Sequence, residues 1–321
     1  MIINFTEIDD IKTDNKYMDK LLKESVFFDI ETSGLSHKFS SIISITILLF
    51  LDNKFKICQL YCEHKIDEKD MIKYFKDLLK NKKYLITYNG NTFDIPFVMN
   101  KALLHNINLN LNDYIKIDIY NDMRILRDTI IIDNLKLKTV ETYFNLKRYD
   151  TFTGEDITVL YEAYCIDPKK EFIQLILQHN YEDVFNLPLI FKEILNLYDE
   201  IITKDNLLLK INYKGFTIKK NTLICNINII TNIPSDYIHQ SLNYDLFLDI
   251  KSQQLKIKIP INFFKNKEID QFYYLKNEDF NLTSYTGIEG INKNLIPLKF
   301  DDIMFNDNII RIINNILNSI F

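Results

Sequence analysis

Short apolar runs bounded by turn residues predict strands at 26–31, 42–50 (IISITILLF) and 54–62 (KFKICQLYC). Over 67–81 the apolar positions Met71, Ile72, Phe75, Leu78 and Leu79 recur with a helical period. Asp67 suits its N-cap, and Glu68 and Asp70 suit the positive end of the helix dipole. YLIT at 84–87 predicts a strand, Tyr88-Asn89-Gly90-Asn91 a turn, and Phe93-Asp94 the opening of a helix reaching about His105. A strand near 115–119 and short helices around 135–145 and 155–164 follow. Asp167-Pro168 has the form of an N-cap and a first-turn proline, opening a helix that Pro188 kinks before about Tyr198. The first 24 residues are polar and charged and are expected as a helix or arm outside the sheet. Strands, then strand–helix alternation, then helices predict an α/β sheet flanked by helices.

From about Asp199 the texture changes. Strand-like runs recur at 207–212, 222–230, 245–249, 255–261 and 271–275, punctuated by Gly215, Pro234, Gly287 and Gly290, and an apolar helix follows at about 308–320. A length of 321 residues also exceeds one average domain. Two domains are therefore expected, 1–198 and a smaller β-rich accessory domain with a C-terminal helix at 199–321. Phe272-Tyr273-Tyr274 offers rings to single-stranded nucleic acid, although an ordinary strand pair is the preferred reading.

Composition narrows the class. A chain that is 47% hydrophobic and 13% aromatic builds full cores, which excludes disordered and fibrous architectures. The net charge of −5 excludes a protein that coats nucleic acid, with residues 1–200 at −7 and 201–321 at +2. It leaves room for a nucleic-acid substrate, because bound cations offset local acid. Cys58 and Cys62 lack a matching second pair and read as half-buried thiols, not a zinc site. Glu7, Asp9 and Asp10 interrupt any signal peptide, and no apolar run reaches the ~20 residues of a membrane span. A cytoplasmic location without a membrane partner is expected.

Candidate chemistry centres on FFDIETSGL at 27–35. Asp29 and Glu31 lie two apart on a predicted strand and so share a face. Burying two like charges together is costly, and a divalent cation that prefers oxygen ligands is the natural counter-charge. On the predicted helix beyond Asp167, His179 and Asp183 are four apart and share a face, whereas Tyr181 looks elsewhere. Asn180 also neighbours Asp183 but cannot act as a base near neutral pH. A histidine, whose reference pKa is about 6.5, can take a proton from attacking water near neutral pH, and His179 is therefore the expected acceptor.

FFDIETSGL, then YNGNTFDIPFV at 88–98, then HNYEDV at 179–184, resembles the three ordered motifs of the DEDD 3′–5′ exonuclease superfamily. LKLKTVETYFNLKRYDTFTGEDI at 135–157 and the His-Asn-x-x-Asp form of the third motif resemble its YprB-like ribonuclease H-like family more narrowly. The third motif has His179 and Gln178 where relatives carry tyrosine or histidine, and histidine at the tyrosine spacing fits the YprB-like pattern. The resemblance covers roughly residues 24–198. It implies a ribonuclease H-like mixed sheet flanked by helices, with Asp29, Glu31, Asp94 and Asp183 as ligands of two Mg²⁺ or Mn²⁺ ions. It also implies hydrolysis of DNA or RNA, with single strands or 3′ ends as partners, while protein partners stay open. Thr32, Gly34 and Leu35 in the first motif and Asn89, Gly90 and Phe93 in the second are the expected substrate contacts.

Two ions about 4 Å apart suit phosphodiester hydrolysis, which builds charge on both attacking and leaving oxygens. The alternative is a degenerate ribonuclease H-like module that binds nucleic acid or protein without cutting. A complete set of acids favours the enzyme. Singly, Asp29 and Glu31 also suit solvated strand ends, and Asp94 a helix cap. His37, His64, His105 and His239 read as structural or surface groups, and Lys147 and Arg148 as a solvated pair that meets phosphate less readily.

Overall fold

The computed structural model describes residues 1–9, 11, 16–127, 130–204, 207–230, 235–249, 251–265 and 271–320. Asp10 and Pro234 lie outside the described residues. The chain divides into two compact units, Met1–Leu197 and Tyr198–Phe321.

The first unit is a six-stranded mixed sheet flanked by helices. In chain order it comprises β1 (Ile2–Ile8), α1 (Lys16–Lys23), β2 (Ser25–Thr32), β3 (Ile42–Leu51), β4 (Lys54–Tyr61), α2 (Glu68–Leu78), β5 (Tyr84–Thr87) and α3 (Asp94–Leu104). There follow β6 (Ile115–Asp118), α4 (Ile119–Leu126), α5 (Leu137–Tyr143), α6 (Gly154–Ile166), α7 (Lys170–Phe185) and α8 (Leu187–Asn196). The strand order is β1-β4-β3-β2-β5-β6. β1 to β4 pair antiparallel, whereas β2, β5 and β6 run parallel, so their carboxyl ends open on one edge. In parallel α/β sheets that edge is where ligands bind.

Alternation along β2 sets the two faces. Val26, Phe28 and Ile30 join Met71, Phe75 of α2 and Phe97, Val98 of α3 in one core. Phe27 faces the other way and packs edge-to-face on Phe191 of α8, with ring centroids 6.4 Å apart. Ile43 and Tyr61 pack on that side with Ile157 and Tyr161 of α6 and Ile176 of α7.

Several expectations need correction. Residues 2–8 are not an arm outside the sheet but its edge strand, paired along their length with β4. Backbone hydrogen bonds hold β1, and most of its side chains are exposed, so no apolar pattern marks it. Asp67 stands at the N-cap position of α2 without bonding that helix. Its carboxylate instead accepts from the His64 N–H at 3.1 Å and the Met1 amine at 2.9 Å. Asp167 ends α6 and does not start α7, whose N-cap is Lys169. Pro188 does more than kink a helix: α7 stops at Phe185, and the proline sits in the first turn of α8, where its missing N–H costs nothing. All four cysteines are free, and Cys58 and Cys62 are buried thiols.

The second unit is β-rich, with β7 (Glu200–Lys204), β8 (Leu207–Ile211), β9 (Phe216–Lys219), β10 (Thr222–Ile230), β11 (Tyr237–Gln240), β12 (Asp245–Asp249) and β13 (Gln254–Pro260) forming one antiparallel sheet. β14 (Asn262–Phe264), β15 (Phe272–Lys276), β16 (Leu295–Phe300) and β17 (Ile303–Met304) form a second, and the short α9 (Asn277–Phe280) follows β15. The last helix, α10 (Asn306–Ile320), buries Ile309, Ile312, Ile313, Ile316 and Leu317, a stripe at helical spacing, in a core shared with both sheets. Phe272 stacks on Tyr274 at 5.0 Å and Phe263 meets Tyr273 at 4.8 Å, so these rings pack on one another. Among the described residues no helix is long and apolar enough to cross a membrane.

The turn after β5 tolerates no side chain at Gly90, because an added Cβ would sit 2.4 Å from Thr87 Oγ1 and 2.5 Å from its Cβ. Gly90→Ala is expected to lower stability by about 1–3 kcal/mol through overpacking, measured by urea unfolding. Unchanged stability would mean that the turn moves freely.

Candidate active site

Three elements bring the acidic side chains together at the carboxyl edge of the sheet. β2 supplies Asp29 and Glu31 on the face that also carries Phe27. α3 begins at Asp94. β5 pairs with β2 only as far as Phe27 and Ile86. The Ile30 N–H lies beyond that ladder, and Asp94 Oδ1 accepts it at 3.1 Å in place of a strand partner. α7 supplies His179, Asn180 and Asp183.

His179 Nε2 lies 3.3 Å from Asp183 Oδ2 and 3.5 Å from Glu31 Oε1. Glu31, His179 and Asp183 each present one ligand atom, all within 4.8 Å of one another. Asp29 and Asp94 adjoin this group closely enough for their charges to act on it. Tyr181 turns away and stacks on Phe185, with centroids 5.6 Å apart.

Electrostatics record the crowding. Burial, then the charges of Asp94, Asp183 and Glu31, hold Asp29 well above the ordinary carboxylate range. Burial, then Asp183 and Asp94, do the same to Glu31. Burial pushes Asp94 up to about 7, with Asp118 and Asp183 adding to it, although the N–H groups of Ile30 and Asp94 itself pull it down.

Four further residues shape the site, and sequence reasoning missed their roles. Asn180 is fully buried; its Oδ1 accepts from the Ser44 and Thr46 hydroxyls at 3.0 and 2.6 Å, and its Nδ2 donates to Asp29 Oδ2 at 2.7 Å. Asp150 Oδ2 stands 2.6 Å from His179 Nδ1, which directs Nε2 at the carboxylates. Burial alone would raise Asp150, but Arg148, the Phe152 N–H and His179 outweigh it and hold it at about 2. Asp118 accepts the N–H groups of Asn89 at 2.7 Å and Asn91 at 3.1 Å, fixing the turn after β5. Arg148 is not a solvated loop residue. Its buried guanidinium pairs with Asp183 at 2.6 Å, Asp150 at 2.9 Å and Glu141 at 3.1 Å. The neighbouring N–H groups of Tyr149 and Asp150 are held by Glu182 at 2.7 and 3.0 Å.

A cleft of about 560 Å³ opens over Asp29, His179 and Asp183, walled by Tyr88, Asn89 and Lys136 among others. Of the expected substrate contacts, Asn89 lines it, in a left-handed conformation with φ 61°. The Thr32 hydroxyl donates to Gly34 O at 2.9 Å, and Phe93 packs against Phe97 at 5.5 Å and His37 at 6.0 Å. Leu35 is 85% exposed. Gly34 has φ 152°, and a Cβ there would meet Ser40 Oγ at 2.8 Å.

A family model described as the RNase_H superfamily matches residues 26–195. No curated protein matches the chain. Among solved structures, the family B DNA polymerase of the hyperthermophilic archaeon Pyrobaculum calidifontis is similar at 16% identity and TM-score 0.42, over 53% of this chain and 24% of the polymerase. A structure titled as the apo form of a nuclease is similar at 14% identity and TM-score 0.37, over 57% of this chain and 76% of that one. The chain thus spans about a quarter of the polymerase.

The raised carboxylates predict a pH signature. A group whose folded pKa is raised stabilises the fold fully below its unfolded value near ~4 and loses that contribution as pH rises through the folded value, here about 7 for Asp94. Asp150, held at about 2, acts only on the acid side of this window. The melting temperature of chelator-treated protein is therefore expected to fall between about pH 4.5 and 7. A flat profile across that window, read by calorimetry, would show that the carboxylates are solvated.

Proposed function

The chain belongs to the RNase H superfamily, and from that membership we propose that it is a divalent-metal-dependent nuclease, a 3′–5′ exonuclease of DNA or RNA ends. One observation carries the reading: Asp29, Glu31, Asp94 and Asp183 crowd their charges into a buried site. A largely oxygen donor set whose negative charge exceeds that of the one guanidinium beside it fits Mg²⁺ or Mn²⁺. Two ions bound there would supply the positive charge that offsets charge on the attacking and leaving oxygens of the phosphodiester. The motif order supports assignment to the DEDD exonucleases and their YprB-like group, and a cytoplasmic location belongs to the same proposal.

The chain's own residues divide the remaining work. Asp29, Glu31, Asp94 and Asp183 would hold the two ions. Asn180 keeps Asp29 in place through its 2.7 Å bond. Asp150 holds Nδ1 of His179 so that Nε2 faces the reacting groups and accepts the proton of the attacking water. Asn89 and Tyr88 line the wall along which the terminal nucleotide of a single strand lies. Residues 199–321 serve as an accessory domain that shapes substrate access or meets a partner, without supplying a ligand.

A second reading of His179 has its own support, since Nε2 lies within ligand range of Glu31 and Asp183. In that reading it binds a cation.

Asp29→Asn and Asp183→Asn are each expected to abolish release of nucleotides from end-labelled single-stranded DNA and RNA in Mn²⁺ while the fold persists. Full activity in either variant would sink the reading. His179→Ala should lose ~10²–10⁴-fold in rate yet keep Mn²⁺ affinity if the histidine is the base, and lose affinity as well if it is a ligand. Tyr181→Phe should turn over like wild type.

A further inference from the structure

Arg148 is the chain's own cation inside the carboxylate cluster. Its side chain is only 8% exposed, and the partners Glu141 and Asp150 are each 1% exposed. Nη1 reaches Glu141 and Asp183, Nη2 reaches Asp150, and Nε is buried without a hydrogen-bond partner. Carboxylates, not backbone carbonyls, therefore position the guanidinium. Glu141 is in turn fixed by Asn186 Nδ2 at 2.8 Å, and Asp150 by the Phe152 N–H at 2.9 Å and by His179. The guanidinium thus has two anchors away from the acids of β2, and its third contact, Asp183, belongs to the site itself. That contact uses one oxygen only. Arg148 takes Oδ1 of Asp183, while Oδ2 faces His179.

We propose that Arg148 is a positioning residue: a built-in counter-cation that neutralises Asp183 until a divalent ion arrives and aims the other carboxylate oxygen at Glu31 and His179. The inference rests on the metal-dependent reading above. It carries a cost in cation affinity, because a fixed positive charge repels the incoming ion. At an effective dielectric of ~20, like charges a few ångströms apart repel by several times RT. Freeing one carboxylate rotamer is a smaller effect, on the order of a few-fold. Repulsion therefore wins, and removing the guanidinium tightens cation binding even as it weakens the metal-free fold.

The test compares wild type, Arg148→Gln, Arg148→Lys and the double variant Arg148→Gln/Asp183→Asn. Each is melted in chelator and titrated with Mn²⁺ by calorimetry. Arg148→Gln is expected to melt lower in chelator, to bind Mn²⁺ roughly tenfold tighter, and to gain more in melting temperature from saturating Mn²⁺ than wild type does. Arg148→Lys, which keeps the charge, should stay closer to wild type in both measurements. The double variant also removes the Asp183 charge but leaves Glu141 and Asp150 without the guanidinium, so in chelator it should melt above Arg148→Gln and below wild type. Unchanged Mn²⁺ affinity in Arg148→Gln would overturn the proposal and leave an ordinary structural ion pair. If Arg148→Gln fails to fold, Arg148→Gln/Glu141→Gln, which removes one of the orphaned buried charges and keeps Asp183 ionised, takes its place, and Mn²⁺ affinity no tighter than wild type in that variant would overturn the idea. A wild type that binds no Mn²⁺ would instead remove the metal-dependent reading, and the chelator melts would still decide whether Arg148 neutralises Asp183.

Discussion

Carboxylates gathered where water is scarce repel one another, and each added acid makes the next harder to ionise. The first unit is arranged around that constraint. β2 brings two acids on one face, α3 offers a third through its bond to a strand N–H left beyond the ladder, and α7 offers a fourth. Arg148 supplies positive charge to Asp183 and Asn180 a hydrogen bond to Asp29, which let the group persist.

Asn180 shows how the fold converts neutral polarity into rigidity. Its amide has a donor side and an acceptor side, and the two ends bind different strands. A carboxylate at that position would refuse the bond to Asp29, and an apolar residue would leave the hydroxyls of Ser44 and Thr46 without this acceptor. Asp150 does comparable service for His179. By occupying Nδ1 it settles which ring nitrogen faces the acids, a choice that an isolated imidazole leaves open.

Much of this was legible before any coordinates. The β2 acids follow from alternation, His179 and Asp183 from helical spacing, and the α/β sheet with its flanking helices from the run of apolar segments, while its mixed strand directions came only with the family resemblance. The accessory strands at 207–212 and 222–230 were likewise visible, whereas β9, β11 and β17 are too short to announce themselves. β1 was missed because an edge strand needs backbone pairing more than buried side chains. Arg148, Asp150 and Asn180 were undervalued for a different reason. Their links to the acids and to His179 span 29 to 151 residues, and nothing in local spacing distinguishes a buried ion pair from a solvated one.

The reach of Asn180 also has a consequence in time. Its bonds to β2 and β3 join residues 134 to 151 positions apart, so within the first unit they are among the last that a chain emerging in order can close. Loop closure over such spans follows local structure, and topologies rich in distant contacts form slowly. The strands can therefore pair while the acids of β2 still lack α7. A nascent or partly folded chain holds Asp29 without its amide and without Asp183, and so cannot assemble the cluster. Competence at this site arrives only with the completed first unit.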